Sequence, residues 1–132
     1  YPVNPLELML ASGATYIARG YTKKMQQLES LIRGGIVHRG FSFIDVLQIC
    51  ATFFPAADYY TPRVYELSDH DPADFETACV KAKEWDYNSD ARIALGAFFK
   101  RSLPTFDDKM GIREEKVKDK KQAVRDFLDG KT

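Results

Sequence analysis

The fold of this chain can be predicted from residues 14–47, which have the sequence ATYIARGYTKKMQQLESLIRGGIVHRGFSFIDVL. Ala14–Arg19 has the composition of a strand, and Gly20 is expected to close it. Lys23–His38 is predicted to be an amphipathic helix. Phe41–Leu47 is almost continuously apolar, which is typical of a parallel strand covered on both faces. This order of strand, helix and strand predicts a βαβ unit with parallel strands, and therefore an α/β fold.

The predicted helix has one apolar face, which we expect to pack on the sheet. Its members recur at spacings of three and four residues and are Met25, Leu28, Ile32 and Ile36. Gly34 and Gly35 lie near the end of the helix, and each costs about 1 kcal/mol relative to alanine. The two glycines are compatible with a helix whose backbone packs closely against the sheet.

Elements are also predicted on both sides of this unit. Before it, Asn4 can cap a short helix that begins at Pro5 and ends at Gly13. After Pro55 the pattern is looser, but three segments stand out: a helix that begins at Asp71–Asp74, a strand at Ile93–Phe99 and a highly charged helix at Glu114–Leu128. The helix that begins at Asp71–Asp74 has an apolar stripe formed by Phe75, Ala78, Cys79 and Ala82.

The composition excludes several classes of protein. Lysine plus arginine number 19 and aspartate plus glutamate also 19, so there is no overall field to attract nucleic acid or an anionic membrane. No apolar run approaches the roughly 20 residues that span a bilayer. Two cysteines do not make a disulfide framework, which favours a reducing cytoplasm. The start at Tyr1 rather than at methionine suggests a fragment or a processed chain.

Cys50 is the main candidate for chemistry. It follows the strand Phe41–Leu47, and the carboxyl ends of parallel strands are where open α/β sheets build their sites. It could ligate a metal or an iron–sulfur cluster there, or it could be a buried cysteine that behaves as a small hydrophobe. No CxxC motif accompanies it, and a [4Fe–4S] cluster usually takes four thiolates. Any such cluster would therefore need ligands from outside this segment.

Other polar residues have structural interpretations. Cys79 lies on an apolar helix stripe and is expected in the core. His38 and His70 are expected to cap a helix or to be exposed to solvent. Asp45, inside an apolar strand, is predicted to be a structural carboxylate satisfied by backbone amides, with a general-base role as the second interpretation.

Several segments resemble one family. Asn4–Leu6, Ala11–Gly20 and His38–Cys50 resemble the second half of the β subunit of 2-oxoacid:ferredoxin oxidoreductases, and the resemblance continues to Arg101–Phe106. Its most specific part is Gly40–Cys50. The resemblance implies the second half of a thiamine-diphosphate-binding fold with a helical carboxyl-terminal tail. Residues 1–55 would be the βαβ part of that domain, and residues 56–132 an extension that packs on it.

The resemblance also implies an activity. The complete enzyme would oxidatively decarboxylate a 2-oxoacid, such as pyruvate or 2-oxoglutarate, to acyl-coenzyme A. Its cofactors would be thiamine diphosphate, Mg²⁺ and a [4Fe–4S] cluster with Cys50 as one ligand, and its partners an α subunit and ferredoxin. The family's Gly-Asp-Gly motif, which holds the magnesium and the diphosphate, does not occur in this sequence. The chain alone is therefore expected to bind neither cofactor nor cluster and to be inactive.

Two other functions are compatible with the sequence. The chain could be a stand-alone, non-catalytic α/β interaction module that kept the sheet but lost the chemistry. It could also belong to a thiamine enzyme that uses an electron acceptor other than ferredoxin, and the complete protein would then lack the visible absorption of an iron–sulfur cluster.

Overall fold

The computed structural model describes residues 2–50, 52–53, 56–87 and 89–110. Its elements, in chain order, are α1 (Pro5–Ala11), β1 (Tyr16–Tyr21), α2 (Met25–Val37), β2 (Ser42–Leu47), α3 (Ala57–Tyr60), β3 (Val64–Glu66), α4 (Phe75–Lys83), β4 (Ile93–Lys100) and α5 (Phe106–Met110). No helix within these ranges has the length and hydropathy needed to cross a membrane.

The four strands form one mixed sheet in the order β2-β1-β4-β3. β1 and β2 are parallel and are joined by α2, so the predicted βαβ unit is confirmed. β4 pairs antiparallel with β1, and β3 pairs parallel with β4. The α/β class predicted from the sequence is therefore confirmed, with an antiparallel pair at the centre of the sheet that the sequence did not indicate.

The first helix begins where the sequence predicts. The Asn4 side-chain oxygen accepts hydrogen bonds from the backbone N–H groups of Leu6 and Glu7, which otherwise lack partners at a helix start. The Asn4 amide also donates to the backbone carbonyl of Ala82, 2.8 Å away, and so ties α1 to α4. Gly13, at φ 81°, ends the helix in the left-handed region that favours glycine.

The apolar face predicted for α2 is right at Leu28 and wrong at its other three members. Leu28 and Leu31 are the buried residues of this helix. Met25, Ile32 and Ile36 are instead 64%, 41% and 78% exposed. Residues at spacings of three and four therefore form two neighbouring apolar stripes on α2. The buried one contains Leu28 and Leu31, and the other is exposed.

The two glycines of α2 allow it to lie close to the sheet, as predicted. A Cβ added to Gly34 would lie 2.7 Å from the Tyr16 hydroxyl oxygen, and one added to Gly35 would lie 3.0 Å from Cδ1 of Ile44. The Tyr16 hydroxyl donates to the Leu31 carbonyl at 2.9 Å, so this side chain is fixed under the helix. Glycine is required here because of space.

The strand predictions need two corrections. Gly20 does not close β1, because the strand continues to Tyr21 and is buried along its whole length. Within the described part of the chain β2 is not covered on both faces, because most of its residues are half-buried and Val46 is exposed, and it is also the edge strand of the sheet. The fully buried strand of the βαβ unit is therefore β1.

Beyond residue 55 the outcome is divided. α4, capped by Asp74, and β4 lie where they were predicted, whereas the short α3 and β3 were not predicted. The helix predicted at Glu114–Leu128 falls outside the described residues. The division at residue 55 stays a prediction, although β4 pairs directly with β1.

Candidate functional site

The candidate site lies at the carboxyl ends of β1 and β2. The two strands end side by side, since the N–H of Thr22 donates to the carbonyl of Leu47 at 3.1 Å. Cys50 follows three residues after β2 and is half-buried. Its Sγ accepts a hydrogen bond from the backbone N–H of Phe53 at 3.4 Å, and the Phe53 side chain is 91% exposed. Cys50 is therefore partly accessible at this edge and is not part of the fully buried core.

An aromatic cluster covers these strand ends. It consists of Tyr21, Tyr59, Tyr60, Trp85 and Tyr87. The rings of Trp85 and Tyr87 are 4.0 Å apart, and Tyr60 meets both Tyr21 and Trp85 edge-on at about 6 Å. Ile49, the residue before Cys50, packs against the buried residues of this region, which are Tyr21, Leu47, Trp85, Ile93 and Leu95. The aromatic cluster therefore supports the segment that carries the thiol.

A buried ion pair lies beneath the aromatic cluster. Arg19 is 1% exposed, and its Nε donates to Oδ2 of Asp45 at 2.8 Å. The two residues are register partners on the parallel strands β1 and β2. The guanidinium carbon of Arg19 also lies 5.1 Å from the ring of Trp85 and 5.5 Å from that of Phe98. This pair was not predicted, although a single arginine in the apolar strand Ala14–Arg19 is a signal for a buried partner.

The Tyr87 hydroxyl completes the pair. It accepts from Nη2 of Arg19 at 2.6 Å and donates to Oδ2 of Asp45 at 2.9 Å. Burial raises the pKa of Tyr87, and the Asp45 carboxylate raises it further while Arg19 opposes both, so the hydroxyl keeps the proton that it donates. The prediction that backbone amides satisfy Asp45 is therefore wrong with respect to its partners, which are two side chains. We call these three residues the Arg19–Asp45–Tyr87 network.

The other candidates lie apart from Cys50 in the fold. His38 is the carboxyl cap of α2, as predicted, and its Nε2 is 2.8 Å from the Thr15 hydroxyl. Burial and the nearby Lys100 lower its pKa. His70 is half-buried and donates from Nε2 to the Phe98 carbonyl at 2.6 Å, so the expectation of a cap or an exposed side chain is wrong there. Cys79 packs against the core, as predicted.

A second polar cluster lies at the opposite edge of the sheet, on β3 and α4. The Tyr65 hydroxyl donates to the Glu84 carboxylate and accepts from Nζ of Lys81 at 3.1 Å. Burial raises the pKa of Tyr65, as does its hydrogen bond to Glu84. This cluster lines a surface cavity of about 400 Å³ and repeats, far from Cys50, the arrangement of a tyrosine between a cation and a carboxylate.

Cys50 is suited to serve as one ligand of a metal centre, but not as a whole site. Among residues 2–50, 52–53, 56–87 and 89–110, no three histidine, cysteine or acidic side chains form a group that could hold a metal ion. A backbone N–H directed at a cysteine sulfur is a favourable partner for a thiolate that ligates iron. Its role as a ligand stays a prediction.

Comparisons with known proteins support the family resemblance described above. A family model described as the carboxyl-terminal part of the pyruvate ferredoxin oxidoreductase beta subunit matches residues 50–115, half of the chain. The β subunit of 2-oxoacid:ferredoxin oxidoreductase 1 from Aeropyrum pernix is 34% identical over 84% of this chain and 38% of that protein. The β subunit of a 2-oxoacid:ferredoxin oxidoreductase from a Sulfolobus species is 33% identical over 98% of this chain and 44% of that protein.

The fold is also similar to a solved structure. A chain of the 2-oxoglutarate:ferredoxin oxidoreductase from Magnetococcus marinus, with 2-oxoglutarate, coenzyme A and succinyl-CoA bound, superimposes with a TM-score of 0.75 at 31% identity. The match covers 96% of the present chain and 44% of that chain. The chain thus spans about two-fifths of the length of the curated relatives that it matches.

Proposed function

We infer a function from one premise: this chain belongs to the pyruvate ferredoxin oxidoreductase β-subunit family and corresponds to its carboxyl-terminal part. We propose that the complete protein is a 2-oxoacid:ferredoxin oxidoreductase, which decarboxylates a 2-oxoacid to acyl-coenzyme A and passes the electrons to ferredoxin. The observation that carries the proposal is the family match over residues 50–115, together with the fold shared over 96% of the chain. An α subunit is the proposed partner, since the relatives are named as β subunits.

Cys50 is the residue of this chain to which we assign chemistry. When bound, a [4Fe–4S] cluster would supply single-electron transfer, and Cys50 would hold it through one thiolate. The N–H of Phe53 would stabilise the negative sulfur, and the buried residues on which Ile49 packs would limit the access of water from that side. The other ligands, and the residues that bind thiamine diphosphate and Mg²⁺, are assigned to polypeptide other than the described part of this chain.

The activity is tested on the complete enzyme. The protein is purified through a tag on this chain, and ferredoxin reduction is measured with coenzyme A and either pyruvate or 2-oxoglutarate. We expect reduction that requires both the 2-oxoacid and coenzyme A, a co-purifying α subunit, and no activity from the isolated chain. A protein that purifies without an α subunit and reduces no ferredoxin with any 2-oxoacid would instead support the interaction module.

The role of Cys50 is tested by paired substitutions in the same enzyme. Cys50→Ala removes the proposed ligand, and Cys79→Ala removes a half-buried thiol that packs against the core. We expect Cys50→Ala to abolish or strongly alter the electron paramagnetic resonance signal of one reduced cluster, while Cys79→Ala retains the wild-type spectrum. Identical spectra for both variants would show that Cys50 is not a ligand.

A further inference from the structure

The Arg19–Asp45–Tyr87 network joins three segments that meet under the candidate site. Arg19 is on β1, Asp45 is on β2, and Tyr87 is in the loop between α4 and β4. Buried charges are retained only where every partner is satisfied, because an unpaired one is strongly unfavourable. The two hydrogen bonds of the Tyr87 hydroxyl therefore fix its loop against the two parallel strands, which the Arg19–Asp45 bond joins to each other.

The backbone at Tyr87 requires such a restraint. Tyr87 has a φ of 68°, and it is the only residue other than glycine with a positive φ among the described residues. This conformation is uncommon for a bulky side chain and persists where the surroundings impose it. The surroundings here are the Trp85 ring, 4.0 Å away, and the two hydrogen bonds of the hydroxyl. Without the hydroxyl, the loop would keep the contact with Trp85 and the hydrogen bond from the Ser89 N–H to Oδ1 of Asp86, but would lose its two bonds to the strands.

The restrained loop bears on the segment of Cys50 by two routes. Tyr87 and Ile49 both pack against the same group of buried residues, which includes Leu47 and Trp85. Asp45 lies on β2, which ends at Leu47, three residues before Cys50. The network can thus act on the segment of Cys50 in two ways. One is through the packed side chains around Trp85, and the other is along the backbone that follows β2.

We infer that the Arg19–Asp45–Tyr87 network is a positioning device for Cys50, in which the Tyr87 hydroxyl locks the aromatic cluster that supports the thiol. Tyr87 is a positioning residue in this assignment, because it acts through Ile49 and the cluster. The consequence for a cluster ligand rests on the proposed function, whereas the positioning of the thiol does not.

Thiol reactivity in the full 132-residue chain gives the first test. Tyr87→Phe removes only the hydroxyl, and the rate of iodoacetamide labelling is followed separately at Cys50 and Cys79 by peptide mass spectrometry. We expect labelling of Cys50 to accelerate at least about fivefold, since local opening exposes the sulfur, while Cys79 keeps its rate. Tyr65→Phe is the matched control, because it removes a hydroxyl between a lysine and a glutamate at the other sheet edge and should change neither rate.

Two outcomes would overturn the inference. An unchanged Cys50 rate in Tyr87→Phe would show that the hydroxyl does not position the thiol, and an equal rise at Cys50 and Cys79 would show general loosening of the fold. If Tyr87→Phe does not fold, Trp85→Phe keeps the network and weakens the ring stack, and the same selective rise at Cys50 is expected.

The complete enzyme gives the second test. We expect Tyr87→Phe to change the line shape or midpoint potential of a reduced cluster while Tyr65→Phe leaves both unchanged. A wild-type enzyme with no cluster signal would contradict the proposed function and leave the thiol result standing. A wild-type signal that Tyr87→Phe does not alter, together with an unchanged thiol rate, would contradict the positioning role alone.

Discussion

At the scale of single residues, the most informative feature is a charge that the fold buries almost completely. Arg19 lies between apolar neighbours on β1 and has Asp45 and Tyr87 as its polar partners. The strands β1 and β2 each carry one charged residue, and the opposite signs of these two charges favour a pair. Their register, and the arrival of Tyr87 from 42 residues beyond Asp45, follow from the tertiary structure, and no local pattern shows them.

Removal of Arg19 should therefore be much more costly than removal of an exposed arginine. Arg19→Met leaves the Asp45 carboxylate with one neutral partner, and we expect a loss of about 3–5 kcal/mol in the free energy of unfolding. Arg33→Met is the control, because Arg33 pairs with Glu29 on the exposed face of α2 at 3.4 Å and should change stability by about 0.5 kcal/mol or less. Urea unfolding of both variants measures the difference, and equal losses would be inconsistent with a buried network.

At the scale of elements, the successful predictions rest on local signals. α1 has its cap and its closing glycine within ten residues, and the β1–α2–β2 unit has clear periodicity. The elements that were missed are α3, with four residues, and β3, with three, which are too short to show a period. The position of β4 beside β1 depends on contacts between segments more than 70 residues apart, and no local pattern encodes it.

Because α2 lies so close to the sheet, we expect a Gly→Ala substitution in it to destabilise the protein, the reverse of the usual effect in a helix. Gly→Ala inside a helix usually gains about 1 kcal/mol. At Gly34 the new Cβ would lie 2.7 Å from the Tyr16 oxygen, which is buried and bonded to Leu31. We expect Gly34→Ala to lower stability by about 1–3 kcal/mol, because overpacking outweighs propensity. Thermal unfolding measures it, with Ser30→Ala on the exposed side of α2 as the control. A stabilised Gly34→Ala would show that the helix can shift freely.

At the scale of the whole molecule, the exposed stripe of α2 and the edge strand β2 belong to one side of the structure. Met25, Ile32 and Ile36 project from the helix that covers β1 and β2, and Val46 of β2 is also exposed. Exposed apolar stripes and open sheet edges promote association. The sequence pattern favours burial of this stripe, and the chain spans about two-fifths of the length of its curated relatives. An exposed apolar stripe of this kind favours contact with another apolar surface.

The isolated chain should therefore self-associate, and a charge on the stripe should reduce that association. Ile36→Lys places an ammonium at the most exposed apolar residue of α2, and we expect sedimentation velocity to show a smaller associated fraction than for the wild type at the same concentration. Val80→Lys is the control, because Val80 is an exposed apolar residue of α4, outside the stripe, and its substitution should leave association unchanged. A wild-type chain that stays monomeric at high concentration, or an equal effect of both substitutions, would mean that the stripe is an ordinary solvated surface. Since Ile36 is exposed on α2, whereas the Arg19–Asp45–Tyr87 network lies on β1, β2 and the loop before β4, the same variant should keep the wild-type labelling rate at Cys50. This outcome would separate assembly from positioning in a single protein.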